Sequence, residues 1–273
     1  VAAARPARYI LPPGGDASHT DTGRCGRAPQ KGAERVLKGR PLTAIIPVRG
    51  GSKGIPGKNM YLLGGMSLLE RTIRLALGCP RIDRTLVSTD APDMHAVAER
   101  FGVAAPGLRP AHLATASAGS ADVVAHLVES AGIPSGGILL LQVTTPLRTR
   151  ADLEGLLDTC ERTEPVEAMV SLCPYEGPHP QKMQVIADGR VASYLGGESG
   201  RPRQELPDLY ALNGAFYLID RDLLLRDRKF IPAGTVPFVM PVERSANLDT
   251  PLDLQILEAM LETGRWRLED AED

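Results

Sequence analysis

Eleven consecutive residues hold the side chains best suited to binding a polyphosphate. They read Arg49-Gly50-Gly51-Ser52-Lys53-Gly54-Ile55-Pro56-Gly57-Lys58-Asn59, with four glycines and three cations. The chain has six lysines against twenty-five arginines, and two of the six stand in this stretch. Glycine lets the backbone wrap closely around a ligand, and the cations would face its charge. The spacing excludes a Walker loop, because five residues rather than four separate Gly51 from Gly57 and Asn59 follows the lysine. The dinucleotide pattern Gly-x-Gly-x-x-Gly is also missing. A solvated basic loop is the bland alternative, and the density of glycine and charge argues against it.

Further along the chain stand polar side chains that could act together with this loop. Gln142 stands at the end of an apolar run, where a side-chain amide needs a specific partner. Asn247 and Asp249 flank Leu248, and in an extended segment residues two apart face the same side. Two oxygens beside a triphosphate suit Mg²⁺, which keeps several waters and takes one or two carboxylates. Helix capping is the competing reading of this stretch, with Thr250 as N-cap, Pro251 at the first helical position and Asp253 at the third. It accounts for Thr250 and Asp253; for Asp249 metal binding and capping stay open. Arg201 and Arg203 bracket Pro202, with Lys182 upstream, and could fork onto a carboxylate or simply be solvated. Arg109 precedes Pro110 and is either a surface charge or a nucleobase contact, and Asn213-Gly214 could be a plain turn.

Strands and helices that alternate from residue 42 onward would position these groups. Strands are predicted at Leu42 to Val48, Arg84 to Thr89, Gly137 to Gln142, Val166 to Leu172, Ala215 to Ile219 and Val236 to Met240. Helices are predicted from a capping box at Ser67 to Leu77, from Pro92 to Phe101, Gly119 to Ala131, Thr149 to Arg162 and Thr250 to Glu262. This rhythm predicts an α/β fold with a doubly wound, mostly parallel sheet, which binds ligands at the carboxyl edge of its strands. The rhythm breaks between Cys173 and Leu212, where Asp188-Gly189 joins two strand-like pieces into a hairpin. Residues 1–40 lack apolar periodicity and are expected to be a disordered extension, leaving one domain over residues 41–273.

Composition narrows the function classes. A net charge of −2 and 4% aromatic residues give no basic, aromatic-rich surface for nucleic acid. No apolar run reaches the ~20 residues of a membrane helix. The four cysteines are scattered and read as reduced thiols of a cytoplasmic protein.

Taken in order, these segments resemble the bacterial cytidylyltransferase family that makes CMP-sialic acid and related CMP-nonulosonates. The similarity runs from about Thr43 to Leu261. It is carried by Arg49 to Asn59, Val87-Ser88-Thr89-Asp90, Leu108-Arg109-Pro110, Leu141-Gln142 with Pro146-Leu147-Arg148, Pro202-Arg203-Gln204, Asn213-Gly214-Ala215 with Tyr217, and Leu248-Asp249-Thr250. The resemblance implies a Rossmann-like (GT-A-like) nucleotidyltransferase domain with a small inserted hairpin at about 173–212. In the family that insertion mediates homodimerisation and lends residues to the partner's site. The resemblance further implies that Arg49, Gly51, Ser52, Lys53 and Lys58 bind the CTP phosphates, and that Asn59 and Arg109 place cytosine and ribose. Gln142, Lys182, Arg203, Asn213 and Tyr217 would line the sugar-acid pocket, and Asp249 with Asn247 would hold Mg²⁺. Arg49, Lys53, Lys58 and Asp249 would carry the chemistry, CMP transfer from CTP to a 2-keto sugar acid with release of pyrophosphate.

Three positions depart from the family pattern. Asn247 stands where relatives usually carry Asp, Tyr210-Ala211-Leu212 lacks an arginine found in sialic-acid binders, and Ala116 replaces an acidic residue. A different acidic acceptor, or a nucleotide-binding relative without turnover, are the alternatives these departures raise.

Overall fold

A computed structural model describes residues 39–51, 54–163, 166–196 and 202–269. The expectation for the N-terminal extension, up to residue 38, falls outside the described residues, as do those for Ser52, Lys53, Arg201 and the side chain of Arg203.

The domain begins with strand β1 (Leu42–Pro47), followed by the glycine-rich loop and a single 3₁₀ turn at Lys58–Met60. A two-stranded ribbon comes next, β2 (Leu62–Leu63) and β3 (Met66–Ser67), then helix α1 (Leu68–Gly78). The chain continues through β4 (Arg84–Ser88), α2 (Pro92–Arg100), α3 (Ser120–Ser130), β5 (Gly137–Leu140), α4 (Arg150–Arg162) and β6 (Ala168–Pro174). A hairpin, β7 (Gln184–Ala187) with β8 (Arg190–Ser193), interrupts this series. It closes with β9 (Tyr210–Asp220), α5 (Arg221–Asp227), β10 (Val236–Val239) and α6 (Pro251–Glu262).

Six strands form one sheet in the order β10-β6-β9-β5-β1-β4. β1 pairs in parallel with β4 and β5, β6 pairs in parallel with β10, and β9 runs antiparallel between β5 and β6. Side chains alternate across the pleat. Ala44 and Ile46 therefore join the core under α1, α2 and α4, while Ile45 joins Val124, Leu127 and Leu224 on the other face. The sheet is thus covered by helices on both faces, the arrangement expected of near-continuous apolar strands.

Local sequence explains most boundaries. Ser67 Oγ accepts from Glu70 N at 3.1 Å and starts α1, although only this half of the expected capping box forms. The Glu70 carboxylate turns instead to Arg74 at 2.8 Å. Thr149 and Asp152 form a complete box on α4, and Thr250 with Asp253 forms another on α6. The loop Arg49 to Asn59 does not run into a helix as a strand–loop–helix unit would, because the β2–β3 ribbon intervenes. Its turn needs Gly64 and Gly65 at φ 59° and 80°. β9 begins at Tyr210, inside the stretch expected to be insertion, and α5, which the apolar pattern did not reveal, turns the chain after it. None of the described helices is long and apolar enough to cross a membrane.

Candidate functional site

The carboxyl edge of β1, β4 and β5 opens onto a cavity of about 500 Å³. Its lining includes Arg49, Gly54, Lys58, Asn59, Arg109, Gln142, Asn247 and Asp249, so residues nearly 200 positions apart in sequence meet there. Among the described residues that line it are three cations, Arg49, Lys58 and Arg109, and one carboxylate, Asp249. The balance favours a multiply charged anion.

The glycine-rich loop is fastened at several points. Gly50 N donates to Asp90 Oδ1 at 3.1 Å, and Asn59 Nδ2 donates to Arg49 O at 2.9 Å. Asn59 is buried, so its amide closes the loop's base. Gly57 adopts φ 68°, which lets the chain turn into the 3₁₀ helix. Gly54 matters for a different reason: a Cβ there would lie 2.0 Å from Asp249 O, so only glycine lets the loop rest on that carbonyl. Gly51 has nothing within 4 Å of a Cβ and is exposed.

Arg109 is tied to the strand ends. Its Nε donates to Ser88 Oγ at 3.1 Å, and its Nη2 donates to Val48 O at 2.6 Å and to Ser88 O. Burial pushes its pKa down; Asp90 opposes that shift and Arg49 adds to it. Arg49 donates to Thr115 O at 3.1 Å, which anchors it to the wall formed by residues 111–120.

On the opposite wall, Lys58 Nζ donates to Leu248 O at 2.5 Å and to Asp249 Oδ1 at 3.1 Å. Asp249 Oδ2 accepts from Asn247 Nδ2 at 2.7 Å. Leu248 N donates to Thr144 O at 2.8 Å, and this bond joins the segment to the loop that follows β5. Asp249 thus uses its backbone N–H in the α6 cap, donating to Asp253 Oδ2 at 3.0 Å, and leaves its carboxylate for the cavity. Asn247 Oδ1 is buried and has no hydrogen-bond partner. One exposed carboxylate beside one orphaned amide oxygen is a hard oxygen donor set, which fits Mg²⁺ completed by water and phosphate oxygens. Among the described residues no three His, Cys, Asp or Glu gather to hold a metal by themselves.

The acceptor-side expectations separate. Gln142 lines the cavity, and its Oε1 lies 2.6 Å from where a Gly214 Cβ would be. Gly214 at φ 75° is therefore the seat of Gln142. Asn213 is 2% exposed and engaged within the core, donating to Ser245 Oγ at 2.9 Å and accepting from Ser171 Oγ at 2.6 Å. Tyr217 sits against Phe230 on the far face of the sheet, with ring centroids 5.8 Å apart. Burial raises its pKa. Lys182 is exposed on a 3₁₀ turn before β7; Lys182, Asn213 and Tyr217 do not line the cavity. Arg148 is a buried strut behind it, bonded to Ala215 O at 2.8 Å and Thr72 Oγ1 at 3.1 Å. Asp90 and Gly214 enter the sequence reading only as parts of motifs and the stretch around Thr115 only as an edge of the nucleotide pocket; their contacts with the loop, with Gln142 and with Arg49 are not foreseen there. For Asp90 the signal is an acid directly after a strand at the sheet's binding edge.

Residues 43–172 match the cytidylyltransferase family. The N-acylneuraminate cytidylyltransferase of Streptococcus agalactiae serotype V is 31% identical over 209 residues, which is 76% of this chain and 50% of that protein. The chain therefore spans about half the length of that relative. The CMP-N,N'-diacetyllegionaminic acid synthase of Legionella pneumophila is 29% identical over 232 residues, 83% of this chain and 99% of that one. Among solved structures, a CMP:2-keto-3-deoxy-manno-octonic acid synthetase complexed with CTP superposes with a TM-score of 0.60 at 17% identity, covering 82% of this chain and 99% of that one. That last likeness speaks for the fold.

Proposed function

We propose that this chain transfers CMP from CTP to a nonulosonate-type 2-keto sugar acid and releases pyrophosphate; the match of residues 43–172 to the cytidylyltransferase family supports this reading. The observation that carries this reading is the meeting of Arg49, Lys58, Arg109, Gln142 and Asp249 around one cavity at the sheet's carboxyl edge. The names of the relatives support the acceptor class.

The glycine-rich loop holds the triphosphate, with Arg49 and Lys58 on its charge; Ser52 and Lys53 act with them. A hydroxyl of the sugar attacks the α-phosphorus in line, the bond to the bridging oxygen breaks, and pyrophosphate departs. Positioning and cationic stabilisation of the departing charge supply most of the acceleration in such transfers. Asn59 and Arg109 hold the loop base and the strand ends where the nucleoside lies. Gln142 meets the acceptor, and Asn213 acts behind it by fixing the strand that carries Gly214. Mg²⁺, when bound by Asp249 with Asn247, supplies charge neutralisation at the phosphates.

The enzyme works as a homodimer in the cytoplasm. Support for the dimer comes from the hairpin, where Ile186 is 82% and Val191 71% exposed. A second copy would cover these side chains. It would also bring Lys182 and Arg203 of the insertion to the neighbouring cavity. Support for the compartment is the scattered placing of Cys25, Cys79, Cys160 and Cys173 in the sequence, without the pairing pattern of a disulfide frame.

The test is direct. Purified protein with CTP, Mg²⁺ and a panel of sialic, legionaminic and pseudaminic acids should release pyrophosphate with at least one. Silence across the panel and other keto-sugar acids would remove the proposal.

A further inference from the structure

In the arrangement described above, the two groups that should serve the nucleotide are paired with each other. Lys58 Nζ lies 3.1 Å from Asp249 Oδ1. The lysine side chain is 12% exposed and the carboxylate 63%. We propose that Lys58 is passed from Asp249 to the triphosphate when the metal arrives, so that metal and nucleotide bind by exchanging partners. This rests on the metal and CTP reading given above.

Three contacts confine the exchange to Lys58 Nζ and Asp249 Oδ1. Leu248 O holds the same Nζ at 2.5 Å, so the ammonium keeps one bond while it turns. Asn247 Nδ2 holds Asp249 Oδ2 at 2.7 Å, so Oδ1 is the oxygen that changes partner. Asp253 Oδ2 fixes the Asp249 backbone at 3.0 Å, and the loop rests on the Asp249 carbonyl through Gly54. The carboxylate therefore stays in place while its partner changes. Besides offering Oδ1 to the metal, Asn247 positions Asp249 through Nδ2: an aspartate there would compete for Lys58 and could not donate to Asp249.

Charge explains why both ligands are needed. A nearly buried ammonium is costly without an anion beside it. A metal ion arriving alone must evict Lys58 into a site that offers no replacement. Triphosphate arriving alone meets a lysine already neutralised, with a carboxylate next to it. When both arrive, Asp249 gains the metal and Lys58 gains a phosphate oxygen, and each charge keeps a counter-charge. The two ligands therefore promote one another's binding, a coupling that is reciprocal.

Mn²⁺ counted by electron paramagnetic resonance, without nucleotide, tests the pair. Lys58→Met should bind Mn²⁺ roughly tenfold more tightly than the wild-type chain, the scale of releasing one partly screened ion pair. Asp249→Asn should weaken Mn²⁺ in both backgrounds. Lysine ¹⁵Nζ NMR on the unmutated chain, which has six lysines, tests the exchange itself. The Lys58 signal should stay put with Mg²⁺ alone at low concentration and move when CTP is added with Mg²⁺. In Asp249→Asn it should start away from its wild-type position. Equal Mn²⁺ affinity in wild type and Lys58→Met, or a Lys58 signal unmoved by Mg²⁺ with CTP, overturns the exchange and leaves the metal site standing. Mn²⁺ binding untouched by Asp249→Asn overturns both.

Discussion

The loop Arg49 to Asn59 and the β7–β8 hairpin are both short excursions from the sheet, yet they are held in opposite ways. The loop is tied to Asp90, rests on the Asp249 carbonyl, and has its lysine bonded to Leu248 O. The hairpin pairs with itself, and seven of its eight strand residues are exposed, Ser193 being intermediate. One is preorganised by the protomer. The other presents apolar side chains that the described residues of the protomer do not cover. On the proposed function, CTP binding belongs to the single chain and assembly to the hairpin, and mutations in the two places should separate along that line.

The largest effect belongs to Lys58. Lys58→Ala should lower kcat/KM by about 10³-fold, the scale of removing a cation that stabilises leaving-group charge. Its unfolding midpoint should change little, because the carboxylate it leaves is 63% exposed. Pyrophosphate-release kinetics and a thermal melt measure both. A near-normal rate would take Lys58 off the phosphates and remove the functional half of the comparison.

Asn213 should behave in the reverse manner. Asn213→Ala removes bonds to Ser171 and Ser245 at a site only 2% exposed. It should cost about 3 kcal/mol of stability by leaving polar partners unsatisfied. Calorimetry checks this, and the KM for the acceptor should move far less than in Gln142→Ala. Loss of acceptor binding with stability intact would return Asn213 to the pocket wall.

The sequence carried the two regions unequally, for physical reasons. The loop was legible because glycine, lysine and a preceding apolar strand coincide within eleven residues. The α/β fold was legible because strands covered on both faces read as unbroken apolar runs. The fastening was not legible. Gly54 is needed because of a carbonyl nearly 200 residues away, and Gly214 because Gln142 must lie over it. Nothing local to either glycine announces that. Asn213 and Tyr217 carried motif identity but no depth, and burial is what sets Asn213's bonds to the core and Tyr217's ring against Phe230 apart from the cavity. The capping readings of Thr250 and Asp253 match the bonds observed, since a helix cap is set by neighbours within four residues.

Ile186→Asp tests the other half of the comparison. Ile186 is 82% exposed, so a charge there costs the protomer almost nothing. Across a dimer interface it should raise the dissociation constant by about 100-fold, through burial of an unpaired carboxylate. Light scattering would show monomer where the unmutated chain is dimeric. CTP affinity should persist if the loop is complete within one chain, while turnover should fall if Lys182 and Arg203 serve the neighbouring cavity. Unchanged mass in both proteins would dismiss the hairpin as the interface.

The smallest effect lies where helix capping and chemistry meet. Asp253 Oδ2 accepts from Thr250 N at 2.7 Å and Asp249 N at 3.0 Å. Burial alone would raise its pKa, but those backbone bonds, with help from Thr250 and Lys58, hold it below the usual carboxylate value. A carboxylate lowered on folding stabilises the protein above its unfolded pKa, and that contribution is lost as pH falls through the lower folded value. The α6 cap should therefore fade below about pH 4, near the unfolded aspartate value. Asp253→Asn should cost about 1 kcal/mol at neutral pH and flatten the acid limb of the stability curve. Because the same oxygen fixes the Asp249 backbone, the variant should also weaken Mn²⁺ binding several-fold, with Lys58 chemistry otherwise intact. Lost stability without any change in metal affinity would mean that the cap and the site are neighbours without being coupled.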